Sequence, residues 1–309
     1  MLNNVHSPNS IVTFFLILYL FQSFGSSSNA RFVSTNEIEN EEPASNPTKE
    51  WDSLIFSQQW PITSCIAHKE SHHGAACRIY KNVTTWTVHG LWPSISGSRN
   101  GPQFCNKSWP FIESRVADIE PQLLKYWTNI FKDTGKLSLW QHEWSKHGTC
   151  AASEPQLGNE HKYFSKGLQW VRKYDLLDVL SSHGITPSTE TTYTSEALFS
   201  AITSSFGTDP IINCVYDKET KTQLVSQIKL CFHRNLTLVS CNEVLGYRGP
   251  HRGNCPPTGV YYLPTVSNVT SPTTQAPPTH APQDRDKQPC STPLCQAIYA
   301  AYALSIVPL

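Results

Sequence analysis

The sequence predicts an α+β fold, a single disulfide-stapled domain in which an antiparallel β-sheet packs with helices. Three observations predict it. Helical spacing fills the middle of the chain and strand-like runs follow late, an order that suits segregated helices and sheet rather than a βαβ repeat, and no internal repeat is present. Ten cysteines in 309 residues are too many for an ordinary cytosolic enzyme and point to an oxidising compartment. With 39% hydrophobic residues, 16% charged residues, nine tryptophans and twelve tyrosines, the chain can bury a core.

In chain order, Ile11 to Phe24 is an apolar run followed by the small-residue stretch Gly25 to Ala30, the pattern of a secretory signal, although no Lys or Arg precedes it. Residues 1–25 are therefore read as a signal peptide cleaved between 25 and 30, the run being too short to span a bilayer. Residues 31–50 are polar, acidic and aperiodic, and read as a disordered leader. Ser53 to Trp60 and Thr84 to Val88 are β-branched and aromatic runs ended by Pro or Gly, hence strands. Between them, His68 and His72-His73 are assigned to a surface loop between Cys65 and Cys77. Phe111 to Phe131 carries Ile112, Val116, Ile119, Leu123 and Trp127 at helical spacing, with Pro121 dividing it. Helices are also expected at Tyr163 to Ser182, ended by Gly184, and at Ser195 to Phe206, ended by Gly207. Ile211 to Tyr216, Gln223 to His233 and Leu236 to Cys241 read as strands. Beyond Pro264 the composition turns to Ser, Thr, Pro and Gln, so residues 265–309 are an exposed tail and residues 51–264 the folded domain. The short apolar end, Gln296 to Leu309, is read as a frayed terminus in preference to a lipid-anchor tail, so membrane anchoring is not expected.

The 24 basic and 24 acidic residues balance, which excludes a polycationic nucleic-acid-coating surface; any contact with nucleic acid must be local. Two segments carry chemistry: Trp86-Thr-Val-His-Gly-Leu-Trp-Pro93 and Trp140-Gln-His-Glu-Trp-Ser-Lys-His-Gly-Thr-Cys150. On a helix turning about 100° per residue, His142, Lys146, Glu143 and His147 fall at about 0°, 40°, 100° and 140°, so all four share one face. Trp140 and Trp144 fall on the opposite face and should be core. Two potential cations beside a third suit an anion. A zinc helix would place its histidines at i and i+4; here the second is at i+5, about 140° away, with Lys146 between them, so no metal is expected. Phosphodiester transesterification uses such groups without a metal: one imidazole removes a 2′-hydroxyl proton, the other protonates the leaving 5′-oxygen, and a cation stabilises the phosphoryl oxygens. The internal nucleophile makes the substrate RNA and not DNA.

These two segments resemble the active-site boxes of the ribonuclease T2 family, and the resemblance covers roughly Trp51 to Pro264. It implies a single-domain, cofactor-free endoribonuclease acting on single-stranded RNA through a 2′,3′-cyclic phosphate. It also implies roles: His89 as general acid, His147 as general base, the two being exchangeable; Glu143 and Lys146 supporting the transition state; His142 binding phosphate; and Trp92 stacking a base. Ser94 stands where some fungal relatives have an adenine-binding Asp, so no adenine preference carries over. Eight body cysteines allow 105 pairings by arithmetic; the family implies Cys65 with Cys77, Cys105 with Cys150, Cys214 with Cys255, and Cys231 with Cys241. Cys290 and Cys295 lie outside the family domain. Sequons at Asn82, Asn106, Asn235 and Asn268 agree with export, so the protein is expected to be a secreted or lysosomal glycoprotein, monomeric. A rival is a secreted ligand for a receptor or immune partner with incidental nuclease activity; the intact set of five ionisable residues weighs against a pure binding scaffold.

Overall fold

A computed structural model describes residues 50–72, 75–98, 101–246 and 253–265. The signal peptide, the leader before Glu50, His73, the tail from Val266, and with it Asn268, Cys290 and Cys295, lie outside the described residues.

Strand β1 (Ser53–Gln59) pairs antiparallel with β2 (Thr87–Ser94) on one side and with the long β5 (Thr222–His233) on the other. β5 also pairs antiparallel with β4 (Ile211–Asp217) and with the two-residue β6 (Leu238–Val239). One pairing departs from the expected antiparallel sheet: β7 (Val260–Tyr261) runs parallel to β5 and joins β3 (Thr192–Tyr193) at the edge. Alternation along β1 divides its sides. Leu54, Phe56 and Gln58 point one way and are buried, while Ile55 and Ser57 lie on the side shared with Trp92 and Lys229.

Helix α1 (Pro61–Ser71) takes His68 out of the expected histidine loop, while His72 lies exposed just beyond its end. Pro61 at its first turn pre-sets the backbone, and residues Pro61 to Cys65 are buried. His68 therefore sits on a helix, paired with Asp133 at 3.1 Å and stacked on Phe131. The segment after Phe111 forms only a 3₁₀ turn over Glu113–Val116 and helix α2 (Glu120–Tyr126), with Pro121 in the first turn of α2. Helix α3 (Ser138–Glu143) continues through a π turn over Trp144–Gly148 into the single turn α4 (Thr149–Ala151).

The helix expected from Tyr163 to Ser182 is two: α5 (Glu160–Lys173) and α6 (Leu176–Ser182). Asp175 breaks them apart by accepting from the amides of Leu177 and Asp178, an N-cap that the apolar periodicity conceals. α7 (Ser195–Phe206) matches its expected bounds, capped by Thr194 and ended by Gly207 at φ +72°. The last expected strand shrinks to β6 because Leu236 takes a left-handed turn at φ +67°, and α8 (Cys241–Leu245) follows.

The core lies between the sheet and α5, where Trp170 stacks on Phe232 at 3.9 Å and meets Phe56 edge-on. Disulfides join Cys65–Cys77, Cys105–Cys150, Cys214–Cys255 and Cys231–Cys241. Among the described residues no helix is long and apolar enough to cross a membrane.

Candidate active site

The first box lies on β2, which begins three and ends six residues later than the strand expected at Thr84 to Val88. Ser57 of β1 pairs with Gly90 and Gln58 with Val88, so His89 is the extra residue of a β-bulge. In a regular strand His89 and Trp92, three apart, would point to opposite faces. The bulge puts both on one side, with ring centroids 5.1 Å apart. Trp127 holds the bulge from behind by donating its indole N–H to the His89 carbonyl at 3.1 Å. Gly90 has no freedom to be larger, since a β-carbon there would overlap the Glu143 carboxylate and the Trp92 indole nitrogen.

The second box depends on the π turn. An α-helix bonds i to i−4, whereas a π turn spaces that bond by five, so residues five apart come to lie along one side. His142 and His147 accordingly face each other with centroids 6.3 Å apart. The separation of about 140° read from an ideal helix is thus corrected. One ligand-type atom from each of His142, Glu143 and His147 lies within 4.8 Å of the others, so the geometric objection to a cation there falls. The electrostatic objection remains, because Lys146 is near enough for its charge to depress both imidazoles. Trp140 and Trp144 are fully buried, as their positions in the pattern require. The Cys105–Cys150 bridge ties down the end of this helix, and Phe104 N–H donates to the Lys146 carbonyl at 2.9 Å.

The two boxes meet at Trp92. Its indole N–H donates to Glu143 Oε2 at 3.0 Å, and its ring lies 5.8 Å from that of His147. His89, Trp92, Glu143 and His147 therefore form one contiguous group, with His142 at its exposed rim and Lys146 half-exposed beside it. Burial dominates the electrostatics. Glu143 is 1% exposed, and loss of water pushes its carboxyl up to about 8 despite the Trp92 hydrogen bond and the Lys146 charge. Burial likewise pushes His89 down to about 4; a hydrogen bond with Gln227 pulls the other way, and the charges of Lys229, His142 and Lys146 add to the depression. His147 falls further, to about 3, through burial and then the charges of Lys146, His142 and His89. Nδ1 of His89 and Nδ1 of His147 are buried without a hydrogen-bond partner among the described residues.

Sequence reasoning missed Gln227 and Lys229. Both lie on β5, two apart and hence on the same side, in a strand that is otherwise largely apolar, and that alternation was the available signal. Lys229 Nζ sits 5.5 Å from the Trp92 ring centroid. Trp92, His147 and Lys229 line a cleft of about 600 Å³ running along β1 and β4, bordered by Ser94, Ile211 and Asn213. Ser94 turns its hydroxyl to the Trp92 carbonyl at 3.1 Å. Of the sequons, Asn82, Asn106 and Asn235 are exposed and well away from one another in sequence.

The profile of the ribonuclease T2 family matches residues 51–241, a span that holds both boxes. The chain belongs to the ribonuclease T2 family. It is 42% identical to Ribonuclease Oy of Magallana gigas over 219 residues, covering 71% of this chain and 98% of that protein. The crystal structure of human RNase T2 superposes with a TM-score of 0.56 at 32% identity, over 69% of this chain and 99% of that one. RNase MC1 from the seeds of bitter gourd gives a TM-score of 0.56 at 28% identity, over 68% and 100% of the two chains. Mutants of RNase MC1 have been solved in complex with 5′-GMP and with 5′-UMP. The bulged strand and the π turn are therefore features of a ribonuclease T2 domain in this chain.

Proposed function

We propose that this family member is a metal-independent endoribonuclease that cleaves single-stranded RNA by transesterification to a 2′,3′-cyclic phosphate. The observation that carries this is the convergence of His89 and His147, from distant parts of the chain, on Trp92. His147, held neutral by burial and by the Lys146 charge, takes the proton of the 2′-hydroxyl. The 2′-oxygen bonds to phosphorus while the bond from phosphorus to the 5′-oxygen breaks, and protonated His89 gives its proton to that leaving oxygen. Lys146 faces the charge gathering on the phosphoryl oxygens, His142 holds phosphate at the rim, and Glu143, protonated at neutral pH, offers a hydrogen bond to the transition state. Trp92 presents aromatic surface to a base. Four disulfides support an oxidising lumen, so we place the protein outside the cell or in the lysosomal lumen, as a glycosylated monomer.

The test is digestion of single-stranded RNA in EDTA with analysis of the product ends. Cyclic phosphates are expected, and intact RNA across acidic to neutral pH would refute the proposal. The pH profile is a second check. With the free-enzyme imidazoles at about 4 and about 3, kcat/KM should be highest in acid and fall as pH rises, because loss of the His89 proton removes the acid. A bound phosphodiester anion favours imidazolium, so kcat should fall at higher pH than kcat/KM. An alkaline optimum for kcat/KM would contradict the assignment of His89.

A further inference from the structure

Lys229 is not accounted for by folding. It is half-buried in the central strand β5, between Ser57 of β1 and Ile211 of β4, at a position where a lysine gives up much of its hydration. Among the described residues no Asp or Glu lies within salt-bridge distance of it. An unpaired ammonium in that place destabilises the domain unless something anionic meets it. The cleft it faces holds no acidic residue among its described lining; His147, neutral at physiological pH, and Lys229 are the only ionisable groups there. An aromatic ring beside one cation, in a groove that leads away from the reacting group, is the pattern that takes single-stranded nucleic acid. The cleft is bordered by His147, the group that takes the 2′-hydroxyl proton, and the Lys229 charge also reaches His89.

From this geometry, and resting on the proposed ribonuclease reaction, we infer that Lys229 binds the RNA phosphate on the 5′ side of the nucleotide held at Trp92, one phosphate upstream of the scissile one. Both groups lie against one ring: His147 is 5.8 Å from the Trp92 ring, and the Lys229 ammonium 5.5 Å from the same ring. Lys229 is then a substrate-binding residue that acts on affinity, whereas Lys146 acts at the phosphate that reacts.

The experiment compares UpU with pUpU, the same dinucleotide carrying a 5′-phosphate, for the full-length wild type, Lys229→Gln and Lys229→Arg. In wild type the added phosphate should lower KM about tenfold with little change in kcat. Lys229→Gln should abolish that gap and flatten the dependence of log KM for pUpU on log salt by about 0.7, the share of one phosphate contact on a single strand. Lys229→Arg should keep the gap, which guards against a folding defect in the Gln variant. Equal KM for the two substrates in wild type, or a gap that survives in Lys229→Gln, overturns the inference. Cleavage of both dinucleotides without discrimination would leave the ribonuclease proposal standing. Failure to cut either dinucleotide or long RNA would refute the ribonuclease proposal and this inference with it.

Discussion

The buried tryptophans and the active site follow opposite rules. Beneath the site, Trp60, Trp86, Trp127, Trp140 and Trp144 are fully buried, and each indole N–H reaches an oxygen: the Leu263 carbonyl, the Tyr262 hydroxyl, and the carbonyls of His89, Trp127 and Trp109 in turn. At the active site, among the described residues, two imidazole nitrogens are left unpaired, Lys229 has no carboxylate within salt-bridge distance and the Glu143 carboxyl is driven to neutrality. Polar groups buried and satisfied stabilise a fold; polar groups buried and unsatisfied persist where a ligand is to meet them. Trp127 belongs to both regions, since its indole fixes the carbonyl of the very residue whose ring is unpaired.

The largest effects should separate the two regions cleanly. His147→Ala and His89→Ala each remove a proton-transfer group, so turnover should fall by about 10² to 10⁴ or more, with the melting temperature unchanged or raised. RNA digestion beside thermal melting checks both halves, and a variant close to wild type in rate would refute its role. Trp140→Ala should do the reverse, lowering stability by about 3 to 5 kcal/mol in denaturant unfolding while the surviving folded fraction still cleaves RNA.

How legible each region was in the sequence also differs. α7 was read to the residue because its signals are local: Thr194 caps it, and Gly207 ends it by taking a positive φ. The five ionisable residues stood out by residue type, and the core role of Trp140 and Trp144 by periodicity. Their arrangement was not legible, because both boxes break the regular period on which such reading depends. The bulge at His89 moves one residue to the other face of a strand, and the π turn brings His142 onto His147; each inserts a residue, and tertiary contacts hold it there. The parallel pairing of β7 with β5 was hidden for a related reason, since two residues carry no alternation.

The Cys105–Cys150 bridge lies at the border between the regions and tests whether the cleft is held by the fold or by its own contacts. Its residues are 45 apart, so replacing both by Ala should cost about 3 to 4 kcal/mol by the chain-entropy account. The clamp follows the π turn directly, so the double variant should also lose rate in the part that remains folded. Stability lost with no change in the folded-state kcat would show that the helix end needs no clamp.

The smallest expected effect is the most specific to the active site. In the folded chain Glu143 holds its proton up to about 8, against a usual value of 4.5, so folding disfavours its ionised form. Its contribution is neutral below pH 4.5 and turns progressively against the fold as pH rises towards 8, the unfolded chain then binding fewer protons than the folded one. The buried imidazoles act in the opposite direction and in another window: their stabilisation is complete above about 6.5 and is lost as pH falls towards 4 and 3. Glu143→Gln keeps an acceptor for the Trp92 indole and cannot ionise. The variant should therefore match wild type near pH 4.5 and exceed it by roughly 2 kcal/mol near pH 8, part of the full shift being relieved by water entering as the carboxyl ionises. Denaturant unfolding at the two pH values measures the difference directly. Parallel curves would mean that Glu143 is ionised in the folded protein at neutral pH, and that the cleft is better solvated than its burial implies.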